Sequence, residues 1–176
     1  KMAKLFFALP LQQLAPELID WRDQRPWPGQ LVPEANLHLT LAFLGDADQV
    51  TTARLMAAAE RQHCPPLVIT LDETGWFSRA KAAWVGPKAW PNELNVLARA
   101  LRRHGEKLGL GNGEQGYRPH VTLSRKAGEA PADLPAPDFV LQADHFCLYQ
   151  SVTTQDGVRY EPLACWPLRA REKMAS

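Results

Sequence analysis

The chain has 176 residues, 45% of them hydrophobic. That is enough to bury a real core, and it argues for one domain, 1–176, either undivided or of two lobes, over two independent ones. The 20 Lys plus Arg against 19 Asp plus Glu leave a net charge of +1. This excludes a global positive field, and with it a long nucleic-acid tract held mainly by counterion release. A small phosphate-bearing ligand or an RNA end stays open.

In chain order, "KLFFAL" reads as a buried strand, and Leu11 to Arg25 as a helix with Leu14, Leu18 and Trp21 on one side. Pro16 blurs the start of that helix. After the Pro-containing loop "RPWPGQLVPEA", Leu37 to Leu44 alternates as a strand, and Asp48 is placed to cap a helix running to about His63. "PLVITLD", a stretch around "GWF", and "AAWVG" read as further strands with antiparallel connections. Pro91 opens a helix on which Leu94, Leu97, Ala98, Leu101 and Leu108 keep helical spacing. The loop "GLGNGEQG" leads to a short strand at His120, and a Pro-rich loop leads to one long strand from Phe139 to about Val152. A closing strand lies near Tyr160. The pattern predicts an α+β fold of two pseudo-equivalent lobes. Each is a largely antiparallel sheet with helices on its outer face, and the two surround a central cleft.

The cysteines Cys64, Cys147 and Cys165 are odd in number and lack a Cys-x-x-Cys pair, so they read as thiols of a reducing compartment. Lysines before an apolar run at the start mimic an export signal, but Pro10 ends the run Leu5 to Leu9 after five residues. No stretch approaches the roughly 18 apolar residues of a membrane helix. A cytoplasmic protein without membrane contact is expected. Oligomeric state is not encoded in any motif, and a monomer is the default.

The informative feature is a repeat: "HLTL" at 38–41 and "HVTL" at 120–123. With five His and eight Thr in the chain, chance placement gives about 0.2 copies of His-x-Thr. On a strand His38 and Thr40 share one face, as do His120 and Thr122, while Leu37, Leu39, Leu41, Phe43, Val121 and Leu123 take the other. A single copy reads as a hydrogen-bonded strand histidine beside a threonine of high β propensity. Two copies on facing lobes place two imidazoles and two hydroxyls around one cleft. That set suits a phosphodiester, with one histidine as base, one as acid, and hydroxyls donating to non-bridging oxygens. The chemistry needs no metal and no cofactor, and two histidines without a carboxylate cluster make a poor metal site.

These motifs, with "LFFAL", "AAWVG", "YRPHVTLSR" and "FCLYQS" followed by "YEPL", resemble the two-histidine phosphoesterases over nearly the whole chain. More narrowly, they resemble the bacterial RNA 2′,3′-cyclic phosphodiesterases, also called 2′-5′ RNA ligases. The resemblance implies an enzyme acting on RNA ends or nucleotides that bear a 2′,3′-cyclic phosphate. It implies His38 as proton donor, His120 as proton acceptor, and Thr40, Thr122 and Arg125 on the phosphate. Strand parity opposes Arg125, which lies five residues after His120 and points to the wrong face of a straight strand. Alternatives are a small cyclic nucleotide or ADP-ribose cyclic phosphate as substrate, or a module that binds a nucleotide without turning it over.

The remaining candidates have bland readings. His63 and His104 read as surface residues near helix ends, and His145 as a packed or partly exposed strand residue in preference to one approaching the cleft. Arg99, Arg102, Arg103 and Lys107 form a solvated helix face. Trp27, Tyr117 and Tyr149 read as core more than as base-stacking groups.

Overall fold

The computed structural model describes residues 1–113 and 116–172. Its elements are β1 (Ala3–Pro10), α1 (Leu14–Asp23), β2 (Gln30–Leu31), β3 (His38–Ala47), α2 (Gln49–Glu60), β4 (Leu67–Leu71), β5 (Glu73–Phe77), β6 (Ala82–Gly86), α3 (Asn92–Lys107), β7 (Val121–Arg125), β8 (Phe139–Ala143), β9 (His145–Thr154) and β10 (Gly157–Pro167). Of the predicted loop 109–116, Glu114 and Gln115 lie outside the described residues.

Local chemistry explains most boundaries. Pro16 is the third residue of α1, where backbone N–H groups have no intrahelical partner to lose. Asp48 caps α2 by accepting from the Thr51 N–H at 2.8 Å. That helix stops at Glu60, short of His63. The α3 stripe of Leu94, Leu97, Ala98, Leu101 and Gly105 is buried, and its leucines share one core with Leu39, Leu41, Val121 and Leu123.

Seven strands follow the order β10-β9-β1-β3-β7-β6-β5, with β2 pairing β7, and every pairing is antiparallel. The expected lobes are the two halves of this sheet, and the seam between them is the single registered pair Leu39↔Val121. Two expectations are corrected. The long strand at 139–152 breaks at Asp144 into β8, which pairs β4 in a separate two-stranded sheet, and β9, which joins the main one. The stretch "FVLQADHFCLYQSV" carries no turn residue near its middle other than Asp144, and its pattern does not reveal which sheet each half joins. Cys147 and Cys165 are not separate thiols: they lie directly opposite on β9 and β10 and form a disulfide, leaving Cys64 free and buried. No helix among the described residues is long and apolar enough to cross a membrane.

Candidate active site

The seam pairs the middle residues of the two motifs. In an antiparallel ladder Leu39 opposite Val121 sets His38 across from Thr122 and Thr40 across from His120. The two apolar side chains enter the core at 0% exposure. The four polar residues, all half-buried, occupy the opposite face. The local pseudo-twofold thus passes between Leu39 and Val121.

Both imidazoles are held alike. His38 Nδ1 lies 2.8 Å from the carbonyl of Asn36, and His120 Nδ1 lies 2.9 Å from that of Arg118, each two residues upstream. A carbonyl only accepts, so in both rings Nδ1 carries the proton and Nε2 is the atom left for acid or base work. In His38 that Nε2 accepts from the Thr40 hydroxyl at 2.8 Å. Burial pushes His38 down to about 4; the Asn36 bond opposes this, and the charges of Arg125 and His120 add to it. His38 is therefore neutral at neutral pH in the free protein.

Arg125 does reach the cleft, and a bulge is the reason. Opposite β6, Ala83 and Trp84 pair with Ser124 and Thr122, so Leu123 is an extra residue. Opposite β1, Phe7 and Ala8 pair with Ala42 and Thr40, so Leu41 is extra in the same way. Each bulge shifts the alternation by one residue. As a result Phe43 and Arg125, both five residues after their histidines, are exposed, where straight strands would bury them. This corrects the placing of Phe43 on the core face. The Leu123 carbonyl accepts from the Val32 N–H at 2.9 Å and from Arg22 Nη1 at 3.3 Å. Arg22, 5% exposed, also donates to Val32 O, so a buried guanidinium holds the bulge that aims Arg125.

The wall beside His38 is aromatic. Phe6 lies 4.8 Å from the His38 ring and stacks on Tyr149 at 5.3 Å, and Tyr160 meets His38 edge-on at 5.2 Å. In the sheet β10 is three strands from β3, a separation of about 14 Å if flat, so the sheet curls to bring Tyr160 back. Asn36 fixes that curl by donating to Val158 O at 2.8 Å and accepting from the Tyr160 N–H at 3.2 Å. Arg125 spans the cleft and donates to the Tyr160 hydroxyl at 2.8 Å.

On the other side, His120 meets Phe77 edge-on at 4.9 Å and Trp84 at 6.0 Å. Trp84 lies against Gly75, where a Cβ would come within 2.1 Å of the indole. The Arg118 guanidinium packs 5.2 Å from Trp84 and 5.6 Å from Trp90 and pairs with Glu73. This clamp steadies the carbonyl that orients His120.

Residues 10–154 match the family model of the 2′-5′ RNA ligase superfamily. The chain belongs to that superfamily. A relative from Escherichia coli (strain K12), named RNA 2′,3′-cyclic phosphodiesterase, is 35% identical over 170 residues, covering 94% of this chain and 96% of its own. A relative of the same name from Methanocaldococcus jannaschii is 27% identical, covering 93% and 99%. Among solved structures, a crystal structure of a phosphoesterase superposes with a TM-score of 0.90 at 34% identity, covering 96% of this chain and 99% of that one. E. coli LigT complexed with 3′-AMP superposes with a TM-score of 0.89 at 34% identity and the same coverage.

Within this 2′-5′ RNA ligase superfamily member, Trp27 and His104 sit apart from the four motif residues, whereas Tyr149 stands 6.4 Å from the His38 ring and Tyr117 bonds the motif strand. Trp27 donates to Arg22 O and packs on Trp21, and His104 bonds Gln62. Tyr117 donates to the Thr40 carbonyl at 2.8 Å, and burial pushes its phenol well up, so it remains a neutral donor supporting the motif strand. Sequence reasoning missed Asn36, Arg22 and Tyr160. Asn36 alone had a signal, as the polar residue two before the first histidine.

Proposed function

We propose that this protein hydrolyses 2′,3′-cyclic phosphate ends of RNA to 2′-phosphomonoesters, with His38 as general acid, His120 as general base, and Thr40, Thr122 and Arg125 on the phosphate. The observation that carries it is the pairing Leu39↔Val121, which puts two identically oriented imidazoles and two hydroxyls on one face. The names of the E. coli and M. jannaschii relatives support the substrate class. Both histidines come from one chain, so a monomer carries the whole apparatus, and the work belongs in the cytoplasm, where RNA ends arise.

In the free protein His38 and Thr40 satisfy each other. An entering phosphate replaces that bond: the hydroxyl turns to a non-bridging oxygen, and Nε2 faces the oxygen that will leave. A dianionic transition state is met by Arg125 and two hydroxyl donors. The bound anion also supplies the counter-charge that His38 lacks when the site is empty, which raises its proton affinity. If a 5′-hydroxyl of another RNA replaces water, the same machinery makes a 2′-5′ linkage, without ATP because the cyclic ester is already activated.

The direct test incubates the protein, with its Cys147–Cys165 disulfide intact, with an oligonucleotide ending in a 2′,3′-cyclic phosphate and with 2′,3′-cyclic mononucleotides, with and without excess chelator. Turnover of the oligonucleotide is expected in both conditions, with a 2′-phosphate as product. Binding without turnover would leave a nucleotide-binding module, and turnover lost to chelator would overturn the two-histidine chemistry.

A pH profile supplies an independent check. The productive form has one imidazole charged and one neutral, so kcat/KM traces a bell whose limbs belong to the coupled pair. The free protein sets kcat/KM, and His38 at about 4 places the acid limb near that value. The complex sets kcat, and the bound anion moves its acid limb to higher pH. Rates that only rise from pH 4 to 10 would contradict the paired titration.

A further inference from the structure

Away from the cleft histidines, on the outer half of the first lobe, three potential metal ligands converge. A ring nitrogen of His145 and the sulfurs of Cys147 and Cys165 all lie within 4.8 Å of one another. The sheet builds this cluster. Cys147 and Cys165 are directly opposite in the β9–β10 ladder, and His145, two residues before Cys147, shares its face. Asp144 Oδ1 accepts from His145 Nδ1 at 2.6 Å, and Gln12 Nε2 donates to the same carboxylate at 3.2 Å. Gln12 Nε2 also lies 3.1 Å from Nδ1, but the shorter contact to the carboxylate puts the proton on Nδ1 and a lone pair on Nε2, the carboxylate–histidine arrangement found behind metal-bound imidazoles. An open cavity of about 310 Å³ lies over the cluster, lined by Asp144, His145, Cys165, Trp166 and Pro167.

We propose that the reduced form of this cluster binds one zinc-class cation through Cys147, Cys165 and His145, with solvent from the cavity as fourth ligand. Two thiolates, one imidazole and one open position match the ligand preferences of Zn²⁺. Opening the site takes a dithiol reductant. Its thiolate attacks Sγ of exposed Cys165, and buried Cys147 leaves as a thiolate and takes up a proton. The second thiol of the reductant then displaces Cys165, so two electrons and two protons pass to the protein and the reductant becomes a disulfide. Zn²⁺ binding releases the two thiol protons to solvent.

The site is structural and takes no part in phosphoryl chemistry. Cys147 lies beside Ala8, and Ala8 beside Thr40, in neighbouring strands. Tyr149 is two residues from Cys147, on the same face. A cation between β9 and β10 keeps the Tyr149 and Tyr160 wall in register when reductant removes the disulfide. The inference rests on the cluster alone and stands or falls separately from the proposed phosphodiesterase reading.

The experiment compares oxidised and dithiol-reduced full-length protein, freed of excess reductant under anaerobic conditions, by titration with Zn²⁺ and with Co²⁺ as a spectroscopic probe. The reduced protein is expected to take up one equivalent and to show thiolate-to-Co²⁺ charge-transfer absorption. Zn²⁺ is expected to raise its melting temperature; the oxidised protein shows none of these. Cys165→Ser at an exposed position and His145→Gln at a half-buried one should abolish the uptake with circular dichroism unchanged. Asp144→Asn should weaken it by about 10- to 100-fold. Absence of uptake by the reduced protein, equal uptake by the oxidised protein, or uptake undiminished in both ligand variants would overturn the assignment.

Discussion

His38→Ala and His120→Ala are each expected to lower turnover of a 2′,3′-cyclic phosphate end by about 10² to 10⁴, the usual worth of a positioned acid or base. Neither side chain is needed to hold the seam. The apolar anchors Leu39 and Val121 remain in the core at 0% exposure, so melting temperatures should change little while kcat falls. The double variant should lose less than the product of the single losses, because proton donation and acceptance serve one transition state. Thr40→Ala and Thr122→Ala remove only a hydroxyl donor and should cost less. Thr40→Ala also removes the group that holds His38 Nε2 at 2.8 Å, so its loss should exceed that of Thr122→Ala. A single histidine variant with wild-type turnover would end the acid–base reading.

Much of this site was legible because its logic has the period of a strand. His-x-Thr with apolar residues between needs only alternation to put imidazole and hydroxyl on one face, and the repeat then calls for two such faces. What alternation does not encode is the break in it. The extra residues Leu41 and Leu123 are apolar like their neighbours, so nothing local marks them as bulges. Parity therefore placed Phe43 in the core and turned Arg125 away. The partner of the second bulge lies 101 residues upstream, in an arginine on α1 that pattern reading assigns to solvent. Arg22 is instead buried against the Val32 and Leu123 carbonyls. Tyr160 was invisible for a related reason: only the curl of the sheet, tied by Asn36, brings β10 back over His38. The Cys147–Cys165 pair depends on hairpin register across a separation of 18 residues, and spacing in sequence does not fix which residues end up opposite.

The assignment of direction meets its sharpest test in the leaving group. The free protein holds His38 neutral, which by itself suits a base. The proposed role as acid depends on the substrate anion restoring its proton. If that holds, water attacks phosphorus in line with the P–O3′ bond, His120 takes the proton from water, and O3′ leaves with the proton from His38. Replacing O3′ by sulfur gives a leaving group that needs little protonation, so the acid becomes dispensable while the base does not. The 3′-thio substrate is therefore expected to recover most of the loss in His38→Ala, on the order of 10²-fold or more, and little of the loss in His120→Ala. Microscopic reversibility requires the roles to exchange when a 2′-5′ linkage is cleaved: His120 then protonates the departing 5′ oxygen and His38 deprotonates the 3′-hydroxyl. A 5′-thio substrate for that reaction should accordingly rescue His120→Ala and leave His38→Ala impaired. Equal rescue of both variants would separate neither role, and the opposite pattern, or a 3′-phosphate product from the wild type, would reverse the assignment.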